Sequence, residues 1–242
     1  ATAENGGYGS YADTNCRLWF YGVALNSAEI GIIVSKNGKV TSDSQKNATD
    51  EAMQYYESGP LAIDFNTTIK GGRNAIMMHA PDMAGSGKSA ASTATLNLAN
   101  TDLITTTELV STKNYADYSD AVKAYVDYVS GADLLTKSTS ATMTLDSVNM
   151  ESYSDTLLMT VLNSDSMGNF LHKESDGIDV NPVSLTMKNM AVEGNIEHMD
   201  YQRRLNLTLS DTSWSGRLHV GNCAEWLATW AGYGTDASNW LP

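Results

Sequence analysis

The chain is poor in positive charge, in cysteine and in long apolar runs. Its 242 residues include 15 Lys and Arg against 28 Asp and Glu, which gives a formal net charge of −13. Because an acidic chain repels phosphate backbones, this balance argues against nucleic acid as a partner. No run reaches the length of about 18 apolar residues that a spanning helix needs, so the sequence predicts no membrane span. Residues 1–16 lack the basic start and apolar core of a signal peptide, and we expect an N-terminal segment of a mature protein or of a longer one.

Cys16 and Cys223 are the two cysteines, and they form neither a CxxC pair nor a metal cluster. They are interpreted as two buried thiols or as one internal disulfide. A third reading follows if they lie in the first and last turns of a stack of about nine turns, since about 40 Å then separates them. A disulfide spans only about 4.4 to 6.8 Å between Cα atoms, so these cysteines would then pair between molecules, head to tail.

Short strand-like segments bounded by turn residues dominate the chain. They are rich in β-branched and aromatic residues, which is typical of an all-β fold. The segments are 17–25, 29–35, 60–69, 74–80, 133–136 and 156–162. Two short helices are also predicted, at 49–58 and 118–131. Polar stretches at 81–92, 111–117 and 163–182 are predicted loops, and the first and last of these are the expected contact surfaces.

One pattern of eleven residues recurs along the chain. The copies are TLNLANTDLIT, TMTLDSVNMES, SLTMKNMAVEG and NLTLSDTSWSG, which start at 95, 142, 184 and 206. Apolar residues stand at positions two, four and nine, and a polar pair separates the two arms. Alternation within each arm has the period of a β-strand. The starts differ by 47, 42 and 22 residues, so we expect a repeat of about 21 residues. The difference of 42 would then correspond to two repeats, and the difference of 47 would include an insertion.

Such a repeat predicts a solenoid of parallel strands stacked about 4.8 Å apart. Stacking places like residues on like, so Met143, Leu185 and Leu207 are expected to form one internal ladder. The polar pairs, such as Lys188-Asn189, are expected to bend the chain and to bond through Asn and Asp side chains along one corner.

The pattern resembles the right-handed parallel β-helix domains of bacterial cell-surface and adhesin-like proteins. The resemblance rests on ATLNLANTDL, GADLLTKSTSATMTLDSVNM and PVSLTMKNMAVEGNIEHMDYQRRLNLTLSDTSWSG, and it covers about residues 20–221. It implies an all-β, right-handed parallel β-helix and an extracellular or cell-surface location, and it supplies no catalytic residues. We expect one domain over 1–242, with an N-terminal segment at 1–16 and an aromatic cap at 222–242.

An enzyme is the main alternative, because many parallel β-helices cut acidic polysaccharides. Asn100-Thr101-Asp102 matches the start of a polygalacturonase-like motif, but the paired Asp, the His-Gly and the Arg-Ile-Lys that should follow are missing. A solvated face explains Lys188, Asp200, Arg203 and Arg204 better than a lyase site does. A hydrolase needs two carboxylates across a cleft, which the sequence does not pair.

Other candidate sites are weaker. None of the four histidines has HxH or HExxH spacing; they are His79, His172, His198 and His219. His79 in MMH and His198 in EHMD are interpreted as strand and corner residues rather than metal ligands. GSGKS at 85–89 resembles the end of a phosphate loop, but Asp82 stands where the motif needs glycine. Thr105-Thr106-Thr107 points to a Thr-rich ice- or mineral-binding face, for which the other copies are expected to supply no matching ladder.

Aromatic residues crowd the end of the chain. They have two interpretations, an apolar cap on the last turn or a surface that binds a partner or a glycan. The residues are Trp226, Trp230, Tyr233 and Trp240.

Together these observations predict a non-catalytic extracellular module, structural or adhesive, that self-associates. The expected partners are the chain itself, another surface protein or an extracellular glycan, with no cofactor and no metal. The alternative is a polysaccharide lyase or glycoside hydrolase of the β-helix type with an unrecognised site.

Overall fold

A computed structural model of the protein describes residues 2–3, 8–13, 15–44, 66–79, 93–106, 131–137, 139–161, 181–200 and 203–221. All regular structure within these ranges is β, as the sequence predicts. The predicted helices at 49–58 and 118–131, apart from Gly131, and the predicted loops, apart from 181–182, lie outside them.

Twenty strands form the described part of the chain. They are β1 Thr2–Ala3, β2 Tyr8–Ala12, β3 Arg17–Tyr21, β4 Ala24–Ser27, β5 Ile30–Ser35, β6 Lys39–Asp43, β7 Thr67–Gly71, β8 Asn74–His79, β9 Thr93–Ala99, β10 Thr101–Thr105, β11 Leu134–Lys137, β12 Ser140–Asp146, β13 Asn149–Glu151, β14 Thr156–Val161, β15 Val183–Lys188, β16 Ala191–Glu193, β17 Asn195–His198, β18 Leu205–Ser210, β19 Ser213–Ser215 and β20 Leu218–Val220.

The strands form four parallel sheets. Sheet A has the order β1-β4-β7-β10-β13, sheet B β2-β5-β8-β11-β14-β17-β20, sheet C β18-β15-β12-β9-β6-β3, and sheet D β16-β19. Within each sheet a strand pairs with the strand three places further along the chain. The chain therefore passes through sheets A, B and C in turn, and sheet D takes the place of sheet A in the last two passes.

The internal ladder predicted from the repeat is confirmed. Met143 pairs in register with Leu185, and Leu185 pairs with Leu207. Leu96 extends this column, and it is fully buried, as Met143 and Leu185 nearly are. One apolar cluster includes residues from all four sheets, among them Leu25, Ile32, Leu96 and Val192. Strands whose alternate residues are apolar thus turn one face toward a shared core.

The predicted repeat length is wrong in one respect. The first arms of the four copies lie in β9, β12, β15 and β18, which are consecutive neighbours in sheet C. The 42 residues from the second copy to the third therefore make one turn of the chain through the sheets, which we call a layer, and not two. The extra length is residues 162–180, which lie between β14 and β15 in the sequence. The longest sheet of the described residues has seven strands, fewer than the nine turns expected.

A corner follows the first arm of each copy of the repeat. Its backbone has positive φ at Asn100 (44°), Ser147 (56°), Asn189 (51°) and Asp211 (49°), the second residue of each polar pair. Asn and Asp tolerate this left-handed conformation best among residues with a side chain. Asn100 Nδ2 donates to Asp43 Oδ1 at 2.8 Å, and Asn189 Nδ2 donates to Asp146 Oδ1 at 2.9 Å. The predicted polar corner is confirmed.

Candidate functional site

The outer face of sheet C carries an uncharged set of hydroxyl and amide side chains, which we call the hydroxyl array. It has two rows on β9, β12, β15 and β18. The first row is Thr95, Thr142, Ser184 and Asn206, and the second is Asn97, Thr144, Thr186 and Thr208. In-register pairing spaces neighbours in a row about 4.8 Å apart, and the rise along a strand separates the rows by about 6.6 Å.

Alternation along each strand fixes the orientation of the array. In β9 and β12 the residues between the array positions are Leu96, Leu98, Met143 and Leu145, each at most 1% exposed. Because these side chains are packed in the core, the array residues must point outward, and all eight are half-buried or exposed. Asn206 Nδ2 also donates to Ser184 Oγ at 3.2 Å within the first row. The backbone under the array is thus held by the core before any ligand binds.

Charged side chains of both signs border the array. None of its eight residues is charged, although the whole chain carries −13. The adjoining row on sheet C contains Asp43, Asp146 and Lys188, and the first row is extended by Arg17 and Lys39. The array itself is therefore an uncharged patch on an acidic protein.

The second row ends in an exposed aromatic residue. Asn97 pairs with Thr41 on β6, and Thr41 pairs with Trp19 on β3. Trp19 is 57% exposed and Tyr21, on the same face of β3, is 48% exposed. Tryptophan is strongly buried on average, so an exposed one on a patterned face indicates a contact surface.

Sequence reasoning missed the array. We expected no threonine ladder from the other copies, but Thr144, Thr186 and Thr208 pair in register as one. Positions one and three of the eleven-residue pattern form the array. Thr105, in contrast, is 5% exposed, donates to the Gly131 carbonyl at 2.8 Å and accepts from the Tyr153 N–H at 2.9 Å. Thr105 therefore belongs to the interior. The array could have been found in the sequence at positions one and three of the pattern, which alternate with the apolar positions used to predict the core.

A second polar cluster joins β17 to the segment that ends in β20. Arg217 Nη2 lies 2.5 Å from Glu197 Oε1, and His219 Nδ1 lies 2.8 Å from Glu197 Oε2. The Glu197 side chain is 2% exposed, while those of Arg217 and His219 are 66% and 43% exposed. A buried carboxylate needs such partners on both oxygens, so the cluster fastens the last strand of sheet B.

His198 belongs to a buried cluster at the end of β17. Its Nε2 lies 2.9 Å from the Arg203 carbonyl and therefore carries the proton, so Nδ1 accepts from the Thr160 hydroxyl at 2.7 Å. Burial lowers the pKa of His198, which the Arg203 carbonyl and Asp200 partly offset. The neutral imidazole is thus a structural link, and the interpretation of His198 as a strand residue is confirmed.

Asp200 and Arg203 do not lie on a solvated face. Their side chains form an ion pair at 2.7 Å and are 0% and 7% exposed, which overturns that prediction for these two residues. The Asp200 N–H donates to Thr160 Oγ1 at 3.3 Å, which holds the segment after β17 against β14. Arg204 is exposed, and Lys188 lies on the outer face of sheet C.

Asp133 is a fully buried carboxylate immediately before β11. Neither of its oxygens has a hydrogen-bond partner. Burial raises the pKa of Asp133 well above its usual value; nearby Glu151 raises it further, and the Thr105 hydroxyl lowers it. Because the Thr105 proton goes to the Gly131 carbonyl, that hydroxyl does little to hold a charge on Asp133, and the neutral acid is favoured.

The motif match at Asn100-Thr101-Asp102 has a structural explanation. Asn100 forms the corner described above. Thr101 Oγ1 lies 2.7 Å from Ser42 Oγ in the buried interior. Asp102 faces outward on sheet A, in register with Asn149. The three residues thus point in different directions rather than toward one reacting centre.

The remaining predicted site residues are placed only in part. Cys16 is an exposed free thiol, and His79 ends β8. The others lie outside the described ranges, namely His172, Cys223, Trp226, Trp230, Tyr233, Trp240 and the segment 85–89. Among the described residues no group of three or more His, Cys, Asp or Glu side chains is arranged to hold a metal ion. Within the same ranges no helix is long and apolar enough to cross a membrane.

Comparison with known proteins yields no match: no family model, no curated protein and no solved structure is significantly similar to the chain.

Proposed function

We propose that the sheets close into a right-handed parallel β-helix and that the chain is a non-catalytic structural or adhesive module, extracellular or at the cell surface. Return of the chain to each sheet after three strands supports closure. So does an apolar cluster that draws residues from all the sheets. The right hand follows from the strong preference of parallel strand connections for that hand.

The hydroxyl array is the observation that carries the adhesive role. It presents eight similar, uncharged contacts on a backbone that the core already holds, so little conformational entropy is lost when it binds. Catalysis needs a few groups that converge on one reacting atom. A row of repeated contacts instead suits attachment to a ligand that repeats its own groups.

Adhesion can be tested with beads that carry the purified protein. Binding is measured to immobilised extracellular materials: a fibrous protein, a mucin-type glycoprotein, and neutral and acidic polysaccharides. Thr144→Glu places a charge in the centre of the array and should abolish binding. Thr68→Glu makes the same change on the outer face of sheet A and should leave binding intact. Equal binding by both variants, or release of sugar fragments from a polysaccharide, would overturn the proposal, the latter in favour of the lyase or hydrolase.

End-to-end self-association is a second candidate role. At the last layer, the side chains of Leu209, Leu218 and Val220 are 43%, 47% and 64% exposed. Leu209 continues the column that begins at Phe20 in the first layer, so a second copy stacked on this end would extend the same ladder. Burial of these side chains would favour such stacking.

The oligomeric state decides this second role. Cys16 lies beside β3 in the first layer, and Gly221 follows β20 in the last, two residues before Cys223. Light-scattering mass on a size-exclusion column, with and without reductant, should show a reductant-sensitive series of masses that Cys16→Ser abolishes. A monomer under both conditions would remove covalent head-to-tail assembly.

A further inference from the structure

We propose that the second row of the hydroxyl array and Trp19 form one elongated site for a linear, neutral polysaccharide. The inference rests on the proposed adhesive function and names its ligand class. The row is continuous over all six strands of sheet C: Trp19, Thr41, Asn97, Thr144, Thr186 and Thr208.

The shape of the row fits a polymer. It runs across the strands, and five spacings of about 4.8 Å give it a length of about 24 Å. Because the strands are in register, the same kind of contact recurs at a constant interval along this line. A polymer of identical units presents its own groups at a constant interval, so several units can make equivalent contacts at once.

The chemistry of the row fits sugars. A sugar ring has apolar C–H faces and a rim of hydroxyls. The exposed Trp19 ring offers a flat apolar face at one end of the row. Threonine hydroxyls and the Asn97 amide are both donors and acceptors, as sugar hydroxyls are. A protein partner would instead need large apolar anchors at the centre of the patch, where this row has only threonine methyl groups.

A crystalline ligand such as ice or mineral fits less well. The array mixes residue types, since Asn97, Ser184 and Asn206 interrupt its threonines. Trp19 projects from the same face at the end of the second row. These departures from a flat, uniform field suit a flexible chain of sugars better than a rigid plane.

Charge favours a neutral polymer over an acidic one. The six residues of the row are uncharged, and the net charge of −13 repels polyanions. Arg17 and Lys39 extend the first row beside Trp19. With the Asn97 amide oriented so that its nitrogen donates to the Leu96 carbonyl, Lys39 Nζ donates to the Asn97 side-chain oxygen at 3.3 Å. The Lys39 ammonium is therefore hydrogen-bonded within the outer face of sheet C.

Affinity for defined polysaccharides tests the site. The probes are soluble glucan, galactan and mannan as neutral chains and polygalacturonate as the acidic chain, measured by affinity electrophoresis and titration calorimetry. Trp19→Ala should weaken binding of a neutral chain about five- to tenfold, the loss expected for one aromatic contact. Thr144→Glu should abolish it. Oligomers of increasing length should gain affinity until the row is filled.

Matched controls separate the site from general effects. Tyr153→Ala removes another aromatic residue, 65% exposed on a turn away from sheet C, and Thr68→Glu repeats the charge change on sheet A. Both should bind like the unchanged protein, with thermal unfolding confirming that every variant is folded.

Three results would overturn the ligand class. Preference for polygalacturonate would make the ligand acidic. The beads could instead adhere to an immobilised protein, lose that adhesion in Thr144→Glu, and bind no polysaccharide. The adhesive function would then stand, but its ligand would not be a sugar. Retention of binding to a neutral chain by Trp19→Ala and Thr144→Glu would place the sugar elsewhere. If neither bead adhesion nor polysaccharide binding is found, the adhesive function itself fails.

Discussion

Asp133 is, among the described residues, a carboxylate that the fold buries without a hydrogen-bond partner for either oxygen. Its raised pKa means that the native state binds a proton more tightly than the unfolded chain does. The resulting stability is fully present below the unfolded pKa of about 3.9 and is lost as pH rises through the folded pKa. Asp133→Asn keeps the shape without the charge. We therefore expect it to stabilise the protein at pH 8 by about 1 to 3 kcal/mol, and to have little effect near pH 4.

Thermal unfolding between pH 4 and pH 8 measures this difference. Asp102→Asn makes the same change in charge on the outer face of sheet A and serves as the control for the loss of one carboxylate. If Asp133→Asn destabilises the protein at pH 8, burial does not disfavour this carboxylate in the native state, and the prediction is wrong.

The corner beside sheet C shows how one element depends on backbone conformation as well as on hydrogen bonding. Asn189 has a φ of 51°, and its side chain bonds to Asp146. Asn189→Gly keeps the conformation and loses the bond, so it should cost about 1 kcal/mol. Asn189→Ala loses both, and it should cost about 1 to 2 kcal/mol more, because left-handed backbone is unfavourable for residues with a Cβ. Urea unfolding ranks the two variants, and equal costs would show that the conformation contributes nothing.

At the scale of strands, the sequence predicted the features that depend on the alternation of apolar and polar residues. The column of Met143, Leu185 and Leu207 and the polar corner were both readable, because each copy repeats the same apolar and polar positions. The number of layers between copies was not readable. An insertion that leaves and re-enters a sheet at adjacent positions changes the spacing in sequence without changing the neighbours in space.

The candidate site was only partly predictable. Positions one and three of the pattern define the array, yet its value as a surface depends on register across four strands, which a single strand does not reveal. Asp133 and the pair Asp200–Arg203 were beyond prediction, since their burial depends on segments distant in sequence.

For the whole molecule, the stack should behave as a row of layers that depend on their neighbours. Leu145 lies in a central layer and is fully buried, whereas Leu209 occupies the same column in the last layer and is 43% exposed. Leu145→Ala should destabilise the protein by about 2 to 5 kcal/mol, because it leaves a cavity between two layers. Leu209→Ala removes the same atoms from a site with a neighbour on one side only, so urea unfolding should show a cost of about 1 kcal/mol.

Hydrogen exchange carries the same expectation to the backbone. Amides of β18 and β20 should exchange before those of β9 and β12, because the last layer can open without disturbing the rest. Equal protection in every layer, with equal costs for the two leucine variants, would mean that the last layer is covered in solution. If dilution removes that protection, the cover is a second copy, as end-to-end stacking requires. If protection is independent of concentration, residues of the same chain cover the end, and the outer face of sheet C, which we propose to be adhesive, is then the surface left for function.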